Sequence, residues 1–176
     1  VAGWPVRWYG LLFAGGFALG YLVMRWIFRR EGAEEKWLDP LLAVLLLGGI
    51  IGARLGHVFF YNWEHYAAHP LEMFNLRQGG LASHGGLIAN LLLVWVFARL
   101  WARRSFWWLS DRLTLPVAMV AGLIRLGNLM NHEIVGIRTD LPWAFVFERY
   151  TQTLAGSPDL IPMPRHPVQL YEALTY

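Results

Sequence analysis

Cysteine is absent from this 176-residue chain, which excludes disulfides and thiolate metal sites and leaves the redox compartment unread. Charge is scarce as well, with Asp, Glu, Lys and Arg together making up 15% of the residues. No internal repeat and no low-complexity segment stands out. What fills the chain instead is apolar. Hydrophobic residues make up 56%, above the ~45–50% usual for soluble globular chains, and the mean hydropathy is +0.37. Ten Trp and seven Tyr are many for this length, and both favour the membrane–water interface. The length suffices for one domain. A net charge of +3 would admit a nucleic-acid partner on its own, but its distribution follows membrane topology. The chain opens on Val1 and stops at Tyr176 where an apolar segment is starting, so we expect part of a longer protein. We expect no cleaved leader, because the first apolar stretch is too long and lacks a small-residue cleavage site.

Four stretches approach the ~20 residues that a bilayer-crossing helix needs. They run from Trp8 to Phe28, Leu41 to Phe60, Gly85 to Trp101, and Leu113 to Met130, and a fifth begins at Val168. The second follows the breaker Asp39-Pro40. The expected fold is therefore all-α, a polytopic transmembrane bundle of four spans plus the start of a fifth. The alternative is a soluble bundle, but its helices should be apolar in a stripe rather than all round. We take residues 1–176 as one transmembrane domain. Gly48, Gly52 and Gly56 in the second span, and Gly16 and Gly20 in the first, have the small-xxx-small spacing of closely packed helices.

Orientation follows the basic residues of short connections. Arg25, Arg29, Arg30 and Lys36 surround the first connection, and Arg99, Arg103, Arg104 and Arg112 the third, whereas Tyr61 to Ser83 carries Arg77 alone. The two basic connections are expected in the cytoplasm, with the N-terminus and the loops 61–84 and 132–167 outside.

Ionisable groups inside spans are the informative residues, since an Arg at mid-bilayer costs roughly 2.5–3.5 kcal/mol on insertion scales. Arg54 and Arg125 are such residues, each nearer the outer end of its span. His57 and Tyr61 follow Arg54 on its helix, Tyr9 opens the first span, and Ser83-His84 enters the third from outside. Asn128 and Asn131 share a helix face with Arg125, Glu133 lies just beyond, and His166 precedes the fifth span. All these polar groups are thus expected at one leaflet. Each has a plainer reading: Arg54 as a snorkelling structural charge, His84 as a helix-start residue, Tyr9 as an interfacial aromatic. Glu64-His65 and His69 are read as interfacial loop, without the residue order of a zincin helix. No metal is expected.

These residues resemble a known family. Trp8-Tyr9-Gly10-Leu11, Gly52-Ala53-Arg54-Leu55-Gly56-His57 with Tyr61, and His84-Gly85-Gly86-Leu87-Ile88 are similar to prolipoprotein diacylglyceryl transferases. So are Arg125-Leu126-Gly127-Asn128 with Asn131, Glu133 and Gly136, and His166-Pro167-Val168-Gln169-Leu170-Tyr171-Glu172. The motifs occur in order along essentially the whole chain. Departures are Ile124 and Ala89, where the family usually has Gly; both read as packing variation. The resemblance implies a bacterial inner-membrane enzyme of seven helices with an extracytoplasmic N-terminus. Its members move diacylglyceryl from phosphatidylglycerol to the lipobox cysteine of a prolipoprotein signal peptide, releasing glycerol 1-phosphate on the periplasmic side. No cofactor is implied, and no nucleic acid. A further essential arginine lies C-terminal to these motifs in the family, so this stretch alone is expected to be inactive.

That chemistry needs a thiolate and a held phosphate leaving group. Arg125 suits the phosphate, with Asn128, Asn131, Arg54 and His166 as further phospholipid contacts. Glu133 either positions Arg125 or meets the glycerol hydroxyls. His84 is the candidate base, or else a head-group ligand; Tyr9 joins them by its motif. Arg125 is expected to matter more than Arg54, which lacks neighbouring asparagines. Transporters would line a path through the whole membrane, and an intramembrane serine protease would need more than Ser83 beside His84. A non-catalytic assembly protein is the remaining alternative.

Overall fold

A computed structural model describes residues 8–75, 79–153 and 163–176, so Arg77 and residues 154–162 of the last connection lie outside it. Among the described residues, four helices are long and apolar enough to cross a membrane: Trp8–Glu31, Glu35–Tyr61, Ser83–Trp101 and Phe106–Asn131. Helices suit that setting because a chain in lipid must satisfy its backbone hydrogen bonds internally. At most a third of any span's apolar window is buried within the chain. A soluble bundle would present such faces to water as oversized apolar patches; here they are lipid-facing. The chain is an all-α multi-pass membrane protein.

In chain order the elements are α1 (Trp8–Glu31), α2 (Leu38–Tyr61), α3 (Trp63–Ala68), α4 (Ser83–Val96), α5 (Phe106–Asn131), β1 (Phe145–Val146), α6 (Glu148–Thr153), β2 (Pro164–Arg165) and α7 (Val168–Thr175). The two strands form a small antiparallel ladder, Phe145 opposite Arg165. Helix α4 continues through a π-helical turn, Phe97–Trp101, which gives the short third span its length. Helix α5 starts at Phe106, earlier than the expected Leu113. The Ser105 hydroxyl accepts the Trp108 N–H at 3.0 Å, an N-terminal cap. Arg112, the charge that ended the apolar window, donates to Glu31 and to the Trp108 carbonyl, each at 2.8 Å. The expected loop after α2 also contains structure, α3 and a 3-10 turn at Pro70–Phe74.

Two compact units divide the chain, one of residues up to Val23 with Thr114–Tyr176, the other Met24–Leu113. In the second, both basic connections meet at one end. Phe28, Trp37 and Trp108 form an aromatic cluster, and Glu31 pairs with Arg112 beside it. At the other end α2 and α4 touch backbone to backbone, as the glycine spacing requires. A Cβ added to Gly56 would lie 2.7 Å from the Gly85 Cα, and one on Gly85 would strike Gly52 and Gly56. The first unit packs α1 on α5 less tightly: Cβ atoms at Gly16 and Gly20 would sit 3.5 Å from Val120 and Pro116, ordinary contact.

The contrast is testable. Gly85→Ala must push α2 and α4 apart and should cost about 1–3 kcal/mol, the range for overpacked cores. Gly15→Ala meets nothing within 4 Å and should leave thermal unfolding in detergent unchanged.

Candidate active-site groups

Sequence-derived site residues fall in both units. In the Met24–Leu113 unit, α2 carries Arg54 and His57 on one face, and α4 begins at Ser83-His84. Arg54 is 5% exposed, too costly for a lone charge. Its partners are backbone carbonyls of the connection between α2 and α4. Nε donates to Met73 at 2.7 Å. Nη1 donates to Gly79 at 2.7 Å and Gly80 at 3.1 Å. Nη2 donates to Glu72 at 2.7 Å and Asn75 at 3.1 Å. A guanidinium has five N–H donors, and five carbonyls engage this one. Tyr66 covers it at 5.1 Å. The expectation of Arg54 as a phospholipid ligand does not fit that geometry, because no donor is left to bind a phosphate. Neither is it a snorkelling charge, since its head is turned into folded chain.

His84 stands exposed at the first turn of α4. Its ring lies 5.3 Å from Phe60 and 5.7 Å from Tyr61, and Tyr61 stacks on His57 at 5.8 Å. The turn before it is held by the Ala82 N–H donating to the Ala53 carbonyl at 2.9 Å. His65, in the Glu64-His65/His69 group, pairs with Glu72 at 2.8 Å, and among the described residues no three candidate metal ligands converge.

The other unit holds the remaining residues. Arg125 pairs through Nε with Glu172 of α7 at 2.6 Å. Glu133 receives an asparagine on each oxygen, Asn128 at 3.1 Å and Asn131 at 3.2 Å. Its backbone is held too: its N–H donates to the Asn128 carbonyl at 2.9 Å, and Gln169, wholly buried, donates to its carbonyl. Flanking it, His132 and Ile134 have φ of 59° and 54°. For β-branched Ile134 that is a strained conformation of the kind that clusters at functional sites. His166 meets the Tyr171 hydroxyl at 3.0 Å, which also accepts the Trp143 indole N–H at 2.9 Å. Tyr9 lies across α5 where Gly127 leaves room; a Cβ there would be 2.9 Å from its ring.

Thus Asn128, Asn131 and Glu133 form one cluster, Arg125 is paired beside it on α5, and α7 fastens both. Of the two roles expected for Glu133, the structure places it on the asparagines, and Glu172 meets the arginine. Sequence reading assigned no role to Glu172, Gln169, Tyr171 or Trp143. A signal for the first two was present: Gln169 and Glu172 are three apart at the start of an apolar helix, one face carrying two polar groups.

The family model described as prolipoprotein diacylglyceryl transferase matches residues 1–176. A phosphatidylglycerol–prolipoprotein diacylglyceryl transferase of Tolumonas auensis is 48% identical over 171 residues, 97% of this chain and 62% of the relative. One of the same name from Chloroherpeton thalassium is 47% identical over 97% of this chain and 60% of its own. A third, from Porphyromonas gingivalis, is 45% identical over 99% and 62%. The chain therefore spans about three-fifths of the length of these curated relatives, at 60–62%. A family match along the whole chain, with relatives at 45–48% identity, places it: the chain belongs to the prolipoprotein diacylglyceryl transferase family.

Proposed function

We propose that the full protein carrying this chain transfers diacylglyceryl from phosphatidylglycerol to the lipobox cysteine of a prolipoprotein. The sulfur displaces the phosphate oxygen at the glycerol carbon, so a C–S bond forms, a C–O bond breaks and glycerol 1-phosphate leaves. The observation that carries this reading is a partly exposed arginine held at Nε by a carboxylate, beside asparagines that are themselves oriented. With Nε engaged by Glu172, the terminal nitrogens of Arg125 are the donors we assign to the leaving phosphate. Asn128, Asn131 and His166 are assigned to the head group, and Tyr9 to the same end of α1 and α5. His84 takes the thiol proton, since a thiol of pKa ~8.5 is mostly protonated at neutral pH. The partners are phosphatidylglycerol, the signal peptide and the bilayer itself.

Head-group release tests the reaction. Membranes containing phosphatidylglycerol labelled in the terminal glycerol should yield labelled glycerol phosphate with a lipobox peptide, and none when its cysteine is serine. Release with the serine peptide would indicate a phospholipase instead.

We place the protein in the bacterial inner membrane with both polar groups toward the periplasm, on the positive-inside rule. Single cysteines at Asn75 and Ser105, which follow α2 and precede α5, should differ toward an impermeant thiol reagent in spheroplasts. Position 75 should label and 105 should not; the reverse pattern would invert the topology.

A further inference from the structure

We infer that Arg54 is a positioning residue for His84, and that it acts by caging the connection between α2 and α4 rather than by touching lipid. The inference rests on the role proposed for His84. Five carbonyls from Glu72 to Gly80 converge on one buried guanidinium. Hydrogen bonds to a charged group are stronger than neutral ones, and one planar fork engages all five carbonyls at once. The cage closes on Gly80, whose φ of +80° suits glycine, and a Cβ there would come within 2.6 Å of the His57 ring. Gly80 is thus packed flat against His57. From there the contacts run ring to ring: His57 lies against Tyr66, the cover of Arg54, at 6.2 Å, and stacks on Tyr61 at 5.8 Å. Tyr61 in turn meets His84 at 5.7 Å. Among the described residues the imidazole of His84 is placed by such ring contacts, so its orientation depends on the ladder and the ladder on the cage. Arg54 itself stays out of reach of a phosphate.

The two roles separate kinetically. A lipid ligand raises KM when lost; a residue that aims the base lowers kcat, and a misplacement of about 1 Å can cost on the order of a hundredfold. The full protein is assayed in phosphatidylglycerol vesicles with a lipobox peptide, varying the lipid fraction. Arg54→Ala should lose roughly a hundredfold in kcat with KM for lipid within about twofold of wild type. Methylguanidinium should restore part of that loss by refilling the cage. Arg54→Lys, with one nitrogen for five carbonyls, should fall well below wild type. In a His84→Ala background, removing Arg54 should cost less than about threefold, because two residues acting as one unit are not additive. Gly80→Ala keeps the arginine but crowds both the His57 ring and Arg54 Nη1, which a Cβ would approach to 2.9 Å. It should reproduce the kcat loss without methylguanidinium relief, which keeps the test available if Arg54→Ala does not fold. A tenfold rise in KM with kcat preserved would overturn the inference, as would full additivity with His84→Ala, or a Gly80→Ala enzyme with wild-type kcat. Absence of transfer by the wild-type protein would instead count against the proposed reaction.

Discussion

Arg125→Lys in the full protein should lose about two to three orders of magnitude in kcat, the cost typical of removing one preorganised donor from a developing anion. Lysine keeps the charge, so the loss isolates geometry. A single ammonium cannot hold Glu172 and offer a planar fork to phosphate together. The partner matters in a graded way. Glu172→Gln removes the 2.6 Å ion pair but keeps the shape of the side chain. It should lower activity less than Arg125→Lys, by about tenfold, since the variant loses the charge of the pair but keeps the guanidinium itself. Initial rates of peptide modification at saturating lipid measure both. An Arg125→Lys enzyme with near-wild-type kcat would remove the arginine from the chemical step.

His84→Ala should change the shape of the pH profile as well as its height. A thiol of pKa ~8.5 is about 3% ionised at pH 7 and about half ionised at pH 8.5, a gain of roughly fifteenfold. An enzyme without its base depends on that fraction, so the variant should speed up steeply between those pH values while wild type stays flatter. If His84 instead holds the lipid head group, the two profiles should run parallel and the variant should show a raised KM for phosphatidylglycerol. The exposed imidazole at the start of α4 is compatible with direct access by a peptide thiol, which is why the base role is the one put to this test.

The spans were legible because lipid imposes one physical requirement, an apolar run with a closed backbone, and composition alone records it. Where charges interrupt the run the record fails. Asp111 and Arg112 hid the first turns of α5, since nothing local says that Arg112 will meet Glu31 across the unit. The glycine pattern predicted close helices in both places, yet at Gly52, Gly56 and Gly85 there is no room for a methyl group, whereas at Gly16 and Gly20 one would make ordinary contact. Spacing gives the face and not the distance. Among site residues, the grouping of Asn128 and Asn131 with Arg125 was visible in helix periodicity. The cage around Arg54 was not, because its acceptors are main-chain carbonyls, which every residue has. Glu172 escaped notice for a related reason: its partner lies on another helix, and only the fold makes them neighbours.

Diacylglyceryl transfer leaves its clearest record in the bond of the product. The full protein should be incubated in phosphatidylglycerol vesicles with a lipobox peptide, and the peptide treated with mild alkali before mass spectrometry. The expected product is a cysteine still carrying glycerol through an alkali-stable thioether after its two acyl esters have been stripped. An unmodified peptide, or one whose lipid is lost entirely to alkali as an acyl thioester would be, would contradict it.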